Sequence, residues 1–572
     1  MISEPKKNIF SSYALPDLIL LCILSAIFLF FRLGSFSMPQ TEYHMDSADS
    51  SREIILDLGN YTDLAELQVF LGHSPGNGIA FSYFDEMAGE WVVLQSDTTI
   101  QSAFTWNRIE IGARLRYLGI VETGGAVSMH EMVLRDYGNN VLLPVNAADY
   151  PELFDEQDQF PEYTTYYEGS YFDEVYYATT AYQLRHGIYP IETTHPHLGK
   201  YLITLGTMVF GNVPFGWRVV VALFGVLLNI PVYLLTEKLT GKRFFAILAV
   251  ALMNFDFMHY TLARICTIDS IVAFFILCLF YAMYMLVDSA RKDLHSPIDK
   301  LPRRTMFWIL FSSVSLACAV TTKWTGIYAG VSVAVYFLVN YLSIAGEDSK
   351  KKAKNRSGHY LRQLFWTTGL CHVLFTAVLY LLSYIPYARI EGKSFLQEAY
   401  DLNTYSLRYH ANVSDAHSYS SKWYQWPFTK GTLLDSFSGL ADGKVSEIST
   451  LGNPVIWWGG LIALVLLLIL RFKQKDKKAG YLCFLYFCMY APWIMISRTV
   501  FIYQYYLCSL LICIMLAYAF SLLKENKKYL PLIYLGAALL VLIFAYPVIS
   551  GQPMSYTYLA RLQKVFPWWR IT

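Results

Sequence analysis

The chain has 572 residues, 55% hydrophobic and 16% charged, with a formal net charge of +1. A soluble domain carries about 25% charged residues, so this composition excludes an ordinary soluble enzyme. The net charge says nothing about nucleic acid, but no basic tract is paired with a nucleic-acid motif, and no nucleic-acid partner is expected.

Repeated apolar runs near the length of a bilayer crossing mark a polytopic α-helical membrane protein. Lys6 and Lys7 precede an apolar run from Leu18 to Phe31. No small-residue cleavage pattern follows at once, which favours a retained anchor over a cleaved signal peptide. Spans are expected near 16–33, 216–236, 244–262, 268–287, 306–322, 325–343, 364–385, 454–470, 480–497, 501–522 and 530–548. Basic clusters then fall on alternate loops: Lys238, Lys242 and Arg243; Arg291, Lys292, Lys300, Arg303 and Arg304; Lys350 to Lys352, Lys354 and Arg356; Lys473, Lys475, Lys477 and Lys478; Lys524, Lys527 and Lys528. The positive-inside rule calls that side cytoplasmic, with the N-terminus inside and the C-terminus outside. All nine cysteines lie in or beside apolar segments and read as small buried hydrophobes.

Residues 1–35 are expected to hold the N-terminus and first span, 36–148 an external insert, 149–215 a first external loop, 216–385 a membrane core, 386–453 a second external loop, 454–549 the last spans and 550–572 an external tail. The insert reads as strands: REIILDL, LAELQVFLG, IAFSYFD, EWVVLQ, WNRIEIG, RLRYLGIV and VSMHEMVL, with Gly, Asn, Asp and Ser between them. That pattern suggests a small antiparallel β-sandwich of jelly-roll type. It resembles discoidin-like domains, which often bind carbohydrate, and a spacer or protein-contact module fits the same pattern.

After the insert comes YFDEVYYA, 171–178, with Asp173 and Glu174 adjacent among aromatics. Neighbouring helical positions diverge by about 100°, which assigns the two carboxylates different roles. Capping of the helix that starts near Val175 is the plainer alternative. Cations Lys200, Arg218, Arg264, Lys323 and Arg498 sit at outer span ends, where the positive-inside rule does not want them, and Asp269 follows Arg264 across a turn. Snorkelling or local pairing accounts for such residues singly; together they suit a lipid-linked phosphate. A phosphate attached to a sugar's anomeric carbon leaves without protonation, and cations stabilise its growing charge. One carboxylate then suffices to take the proton of an acceptor hydroxyl. Asp173 is the expected base. Glu174 is expected to orient the acceptor or a neighbouring cation. Two carboxylates are a weak metal signature; no metal site is assigned, and a divalent cation stays open as a cofactor.

The chain resembles the protein O-mannosyltransferase family, membrane enzymes of the GT-C class, from about 165 to 548. The similarity rests on FDEVYYA; HPHLGK (195–200), where His197 replaces a family proline; VPFGWR (213–218); FDFMHYTLARICTIDS (255–270); TTKWTG (321–326); HSYSSKWYQWP (417–427); GNPVIWW (452–458); and APWIMISRTVFIYQYY (491–506), where Gln504 stands for a family histidine. The resemblance implies a GT-C fold of about eleven spans and single-displacement, inverting transfer of mannose or another hexose from a polyprenyl phosphate. The acceptor it implies is the Ser/Thr hydroxyl of an exported protein. It implies Asp173 as base; Arg218 and Arg264, the latter supported by Asp269, on the phosphate; Lys200, Lys323 and Arg498 as further cations; and His195, His417, Trp423, Trp426 and Gln504 on the sugar or acceptor side. Interfacial anchoring is the alternative for the aromatics. The second external loop is too short for the β-trefoil of eukaryotic members, which implies a bacterial form in a plasma membrane with its active face outside. The partners implied are a polyprenyl-phosphate-linked sugar, membrane lipid, and a protein or cell-envelope glycan acceptor. A catalytically silent glycan-binding subunit is the alternative from another class.

Overall fold

The first apolar run forms α1 (Ala14–Phe30). The computed structural model describes residues 14–45, 54–74, 76–100, 102–293, 300–350, 356–412 and 417–571. Lys6, Lys7, Arg52, Lys351, Lys352 and Lys354 lie outside the described residues.

The insert is one antiparallel sheet of β1 (Tyr43–Met45), β2 (Ile54–Leu71), β3 (Asn77–Asp85), β4 (Glu90–Ile100), β5 (Trp106–Glu122), β6 (Val127–Asp136) and β7 (Val141–Leu142). The strand order is β1-β6-β2-β5-β3-β4, with β7 beside β6. Four of the expected short strands are halves of two long ones. REIILDL and LAELQVFLG join as β2, and WNRIEIG and RLRYLGIV join as β5. Their pairing breaks between Asp57 and Thr62, close to Gly59 (φ 78) and Gly112 (φ 63), whose left-handed backbone lets the strands bend. Ile54, Leu56, Leu118 and Ile120 before the bend share one core with Leu67, Val69, Met129 and Leu134 beyond it. The expected two-sheet sandwich is therefore a single sheet folded over itself, with strands shared between its two arms.

After the insert come α2 (Glu174–His186) and α3 (Leu198–Phe210), then α4 (Pro214–Leu227), α5 (Asn229–Thr240), α6 (Arg243–Asn254), α7 (Phe257–Leu262) and α8 (Asp269–Asp293). The chain continues through α9 (Arg303–Thr322), α10 (Thr325–Lys350), α11 (Arg356–Leu382), α12 (Ile385–Glu391) and α13 (Phe395–Asn412). A hairpin of β8 (Leu433–Gly439) and β9 (Lys444–Thr450) leads to α14 (Pro454–Lys473), α15 (Lys477–Tyr490), α16 (Pro492–Met495), α17 (Tyr506–Ser521) and α18 (Leu530–Ser550). β10 (Met554–Ser555) adds to β9, and α19 (Tyr556–Val565) follows.

Among the described residues eight helices are long and apolar enough to cross a membrane, counting α4 and α5 as one; α1, α3 and α6 are shorter apolar helices. Two expected spans are broken. The run 244–262 divides at Asp256, whose buried carboxylate accepts from Asn453 N (3.0 Å) and Trp457 Nε1 (2.9 Å). The run 480–497 divides at Pro492, which lacks the N–H that would continue the helix. The expected basic loops meet at one end of the bundle. Lys238 and Lys292 both bind Asp288 (2.9 and 2.7 Å), and Lys478 Nζ donates to Leu239 O. Arg243 pairs with Asp17 near the start of α1.

The insert sits on the other end. Phe70, Phe104, Trp106 and Val133 pack against Tyr177 and Ala181 of α2 and Trp217 of α4. Tyr182 of α2 donates to Glu42 (2.6 Å), which also meets His73 Nδ1 (2.7 Å). Ser170, just before α2, donates its backbone N–H to Phe104 O. The helix that begins with the acidic pair is thus pinned between insert and bundle.

Candidate active site

Asp173 occupies the N-cap position of α2, but its side chain makes no capping hydrogen bond. Its half-buried carboxylate has no hydrogen bond or ion pair among the described residues and lies within electrostatic reach of Lys323, Asp269 and Glu192. Burial pushes the carboxyl up to about 7; Lys323 opposes that, and the charges of Asp269 and Glu192 reinforce it.

Glu174 points the other way and is fully buried. Its carboxylate takes two hydrogen bonds from Arg218, both 2.7 Å, and one from the Cys266 N–H, also 2.7 Å. Arg218 spends its remaining contacts on the carbonyls of Leu33 (3.0 Å), Tyr166 (2.9 Å) and Gly169 (2.7 Å). Arg264 donates to the carbonyls of Leu29 (2.6 Å), Phe31 (2.7 Å) and Arg32 (2.8 Å). Both arginines therefore secure the outer end of α1, whose last carbonyls have no partner within the helix. Asp269 does not support Arg264; it pairs with Lys323 at 2.7 Å. Lys200 is buried and held by Glu192 Oε2 (2.8 Å) and the carbonyls of Glu192 (2.7 Å) and His195 (2.8 Å). Burial works against charge on Glu192, yet Lys200 and His195 hold its carboxyl well below the ordinary range.

Arg498 has neither a hydrogen bond nor an ion pair among the described residues, and its charge acts on Tyr503, Tyr409 and His410. Lys323 Nζ lies 5.6 Å from the centre of the Tyr503 ring. His195 bonds Glu192 Oε1 (3.0 Å) and meets the ring of His410 at 5.5 Å. Burial lowers His410 to about 4, helped by the charges of His195 and Arg498. A neutral ring at this place adds no charge.

The residues expected on the sugar or acceptor side divide. His417 is exposed and rests on Phe501 (5.1 Å). Trp423 is half-buried against Tyr490 (5.8 Å). Trp426 is closed in the core beside Trp493 (5.9 Å), with Nε1 bound to Ser421 (2.9 Å). Gln504 turns back to accept from Phe501 N (3.4 Å), closing its own turn. The motif reading missed Tyr171, Glu192, His410, Asp435 and Tyr503. Tyr171 opens YFDEVYYA, Tyr503 lies in APWIMISRTVFIYQYY and Glu192 stands three residues before HPHLGK, whereas no motif points to His410 or Asp435. Among the described residues the close acidic trio that could hold a cation joins Glu131 of β6 to Asp155 and Glu156 just after the insert, and does not include Asp173.

A cavity of about 870 Å³ runs between α9, α10 and α11, lined by Trp324, Val333, Phe337, Phe365, Val373 and Leu407 among others. Trp324, next to Lys323 in sequence, lines this apolar groove and meets the His410 ring at 5.8 Å.

Residues 163–384 match the family model of dolichyl-phosphate-mannose-protein mannosyltransferase, and residues 395–569 match that of the C-terminal four TMM region of protein-O-mannosyltransferase. The chain belongs to the protein O-mannosyltransferase family. It is 24% identical over 446 residues to a polyprenol-phosphate-mannose--protein mannosyltransferase of Mycobacterium tuberculosis, across 67% of this chain and 84% of that one. The protein of the same description from Mycolicibacterium smegmatis is 25% identical over 461 residues, 70% of this chain and 87% of the relative. The solved Saccharomyces cerevisiae Pmt1-Pmt2 complex bound to the sugar donor superposes with a TM-score of 0.58 at 11% identity, over 69% of this chain and 88% of that chain. The bundle has the GT-C fold, and the β-sheet insert lies outside both matched segments.

Proposed function

We propose that this family member is an inverting glycosyltransferase that moves mannose from a polyprenyl-phosphate donor to Ser/Thr hydroxyls of exported proteins. The observation that carries the proposal is the carboxylate of Asp173, unpaired among the described residues and within electrostatic reach of Lys323. Arg498 and Lys323 both act on the Tyr503 ring that Asp173 also reaches, and Trp324, next to Lys323, lines an apolar groove. The names of the mycobacterial relatives supply the sugar and the acceptor class. In this reading the groove takes isoprene units. Arg498 and Lys323 receive the phosphate and stabilise it as the anomeric bond breaks. Asp173 takes the acceptor proton as the new glycosidic bond forms. Glu174, Arg218 and Arg264 hold the frame.

The same reading places the chain in a plasma membrane with Asp173 outside. Asp269 and Asp288 stand at opposite ends of α8, about 28 Å apart at 1.5 Å per residue, close to the thickness of a hydrocarbon core. The basic loops gather at the Asp288 end, which the positive-inside rule calls cytoplasmic.

The test incubates purified full-length protein with polyprenyl-phosphate-mannose and Ser/Thr-rich peptides and identifies products by mass spectrometry. A peptide gain of one hexose in wild type, absent in Asp173→Asn, is the expected result. A hexose found only on co-purified glycolipid overturns the acceptor assignment.

A further inference from the structure

The hairpin of the second external loop carries a carboxylate that the proposed chemistry leaves unused. In the β8–β9 ladder Leu434 pairs with Ser449 and Ser436 with Ile448, so Asp435 is the extra, unpaired residue of a β-bulge. Bulges re-aim a side chain out of a strand's regular alternation, and they concentrate next to active sites. Here the bulge directs Asp435 back over the hairpin, where Oδ2 accepts from Thr450 Oγ1 at 2.6 Å. Thr450 Oγ1 in turn lies 3.1 Å from Thr261 Oγ1. Thr261 shares a small pocket with Tyr171, two residues before Asp173, and with Arg264.

Asp435 is partly open, and within the described residues its carboxyl is met by Thr450 alone, through the hydroxyl and the backbone. No lysine or arginine pairs with it there. Burial pushes its carboxyl well above the usual range; Thr450 opposes that, and the charges of Asp173 and Glu174 add to it. A buried acid with no cation beside it costs free energy unless a polar group meets it. Asp435 and Asp173 both act on the Tyr503 ring, and the hydroxyls of Tyr171 and Tyr503 make no hydrogen bond among the described residues. Polar groups at the start of α2, on the α16–α17 turn and on β8 thus lie within electrostatic reach of one another.

We propose that Asp435 binds a ring hydroxyl of the transferred hexose and so helps to select the sugar. This rests on the function proposed above. In a single displacement the acceptor oxygen, the anomeric carbon and the departing phosphate oxygen lie in line, and ring hydroxyls project to the side of that line. Asp173 and the Lys323–Arg498 rim define the two ends. Asp435 lies within reach of the charges of Asp173 and Glu174. A carboxyl group discriminates among epimers because a misplaced hydroxyl leaves it unpaired.

The test measures kcat/KM of purified full-length protein with polyprenyl-phosphate-mannose and with its monodeoxy analogues, against a Ser/Thr peptide, for wild type, Asp435→Ala and Asp435→Asn. With the mannosyl donor, Asp435→Ala should lose about 10- to 100-fold, the range of a hydrogen bond to a charged group. With one monodeoxy donor the same substitution should cost less than about threefold, since the partner hydroxyl is already gone. Thermal melting confirms that the variants fold, and the isosteric Asp435→Asn carries the comparison if Asp435→Ala does not. An equal loss with every analogue overturns the proposal, as does no loss at all. A loss seen only in the peptide KM moves Asp435 to the acceptor and likewise overturns it. Wild type that transfers no hexose from any donor overturns the functional reading itself, an outcome distinct from the others.

Discussion

Arg218 and Glu174 are bound to each other by two hydrogen bonds of 2.7 Å, both side chains fully buried, while the carboxylate of Asp173, one residue earlier, has no partner among the described residues. One turn of helix thus divides an adjacent acidic pair into a frame residue and a chemical one. The frame residue ties α2 to α4, and through the Leu33 carbonyl to the end of α1.

Breaking that pair should cost stability before it costs chemistry. Removing one member of a buried pair leaves the other charge unmatched, at about 3–5 kcal/mol. Glu174→Ala and Arg218→Ala should melt well below wild type in detergent, with Arg218→Lys intermediate because a lysine cannot satisfy both carboxylate oxygens and the carbonyls. Melting curves of the three variants decide this; unchanged curves contradict the assignment of Glu174 to the frame.

Asp173→Asn should show the reverse pattern. It removes the base without removing bulk, and general-base catalysis contributes roughly 10²–10⁴-fold. kcat should fall by that range, with donor binding held within about threefold. Since the wild-type carboxyl is strained by burial, the variant should melt at or above the wild-type temperature. A large drop in stability would reveal a structural Asp173.

Much of this organisation is legible in the sequence. Apolar run lengths give most of the long helices, the basic loops mark one end of the bundle, and FDEVYYA marks Asp173 and Glu174 at the start of α2. Other parts depend on contacts that no local pattern carries. Arg218 and Arg264 look like cations at a membrane edge, and only the fold brings to them the carbonyls of Leu29, Phe31, Arg32 and Leu33. Asp269 is near Arg264 in sequence, yet helix packing gives it Lys323. Asp435 becomes visible only through a register shift between two strands. In the insert, seven short apolar stretches suggested separate strands, because a bend at Gly59 or Gly112 reads in sequence like a turn.

Arg498 is the cation with neither hydrogen bond nor ion pair among the described residues, so its loss should act on the donor and spare the frame. Arg498→Ala should raise the donor KM by about tenfold or more, in line with a charge-assisted contact to phosphate, at wild-type melting temperature. Arg498→Lys should recover part of the loss, since the charge remains. Steady-state kinetics with varied donor separate this from an effect on the peptide KM.

The groove should set how the donor's chain length is read. Ala334 lines it and is exposed, so Ala334→Trp places an indole in the apolar channel without disturbing packed neighbours. Each buried methylene is worth about 0.8 kcal/mol, so blocking even part of the isoprenoid contact should raise KM severalfold for long-chain donors. Donors of one or two isoprene units should be little affected. Equal effects on both donors would place the lipid elsewhere.

The titration of Asp173 should appear in the rate. The base works only when deprotonated, and burial sets its carboxyl at about 7. kcat should therefore be flat well above that pH and fall about tenfold per unit below it. Lys323 lowers this value by its positive charge, and Asp269 raises it. Lys323→Met removes the lowering charge and leaves Asp269 unpaired; both changes favour the protonated acid, so the midpoint should move to higher pH, by about one unit or more. Asp269→Asn removes a raising charge and frees Lys323, so its midpoint should move to lower pH. Opposite displacements by these two variants assign the titration to Asp173, whereas a midpoint that neither variant moves belongs to another group.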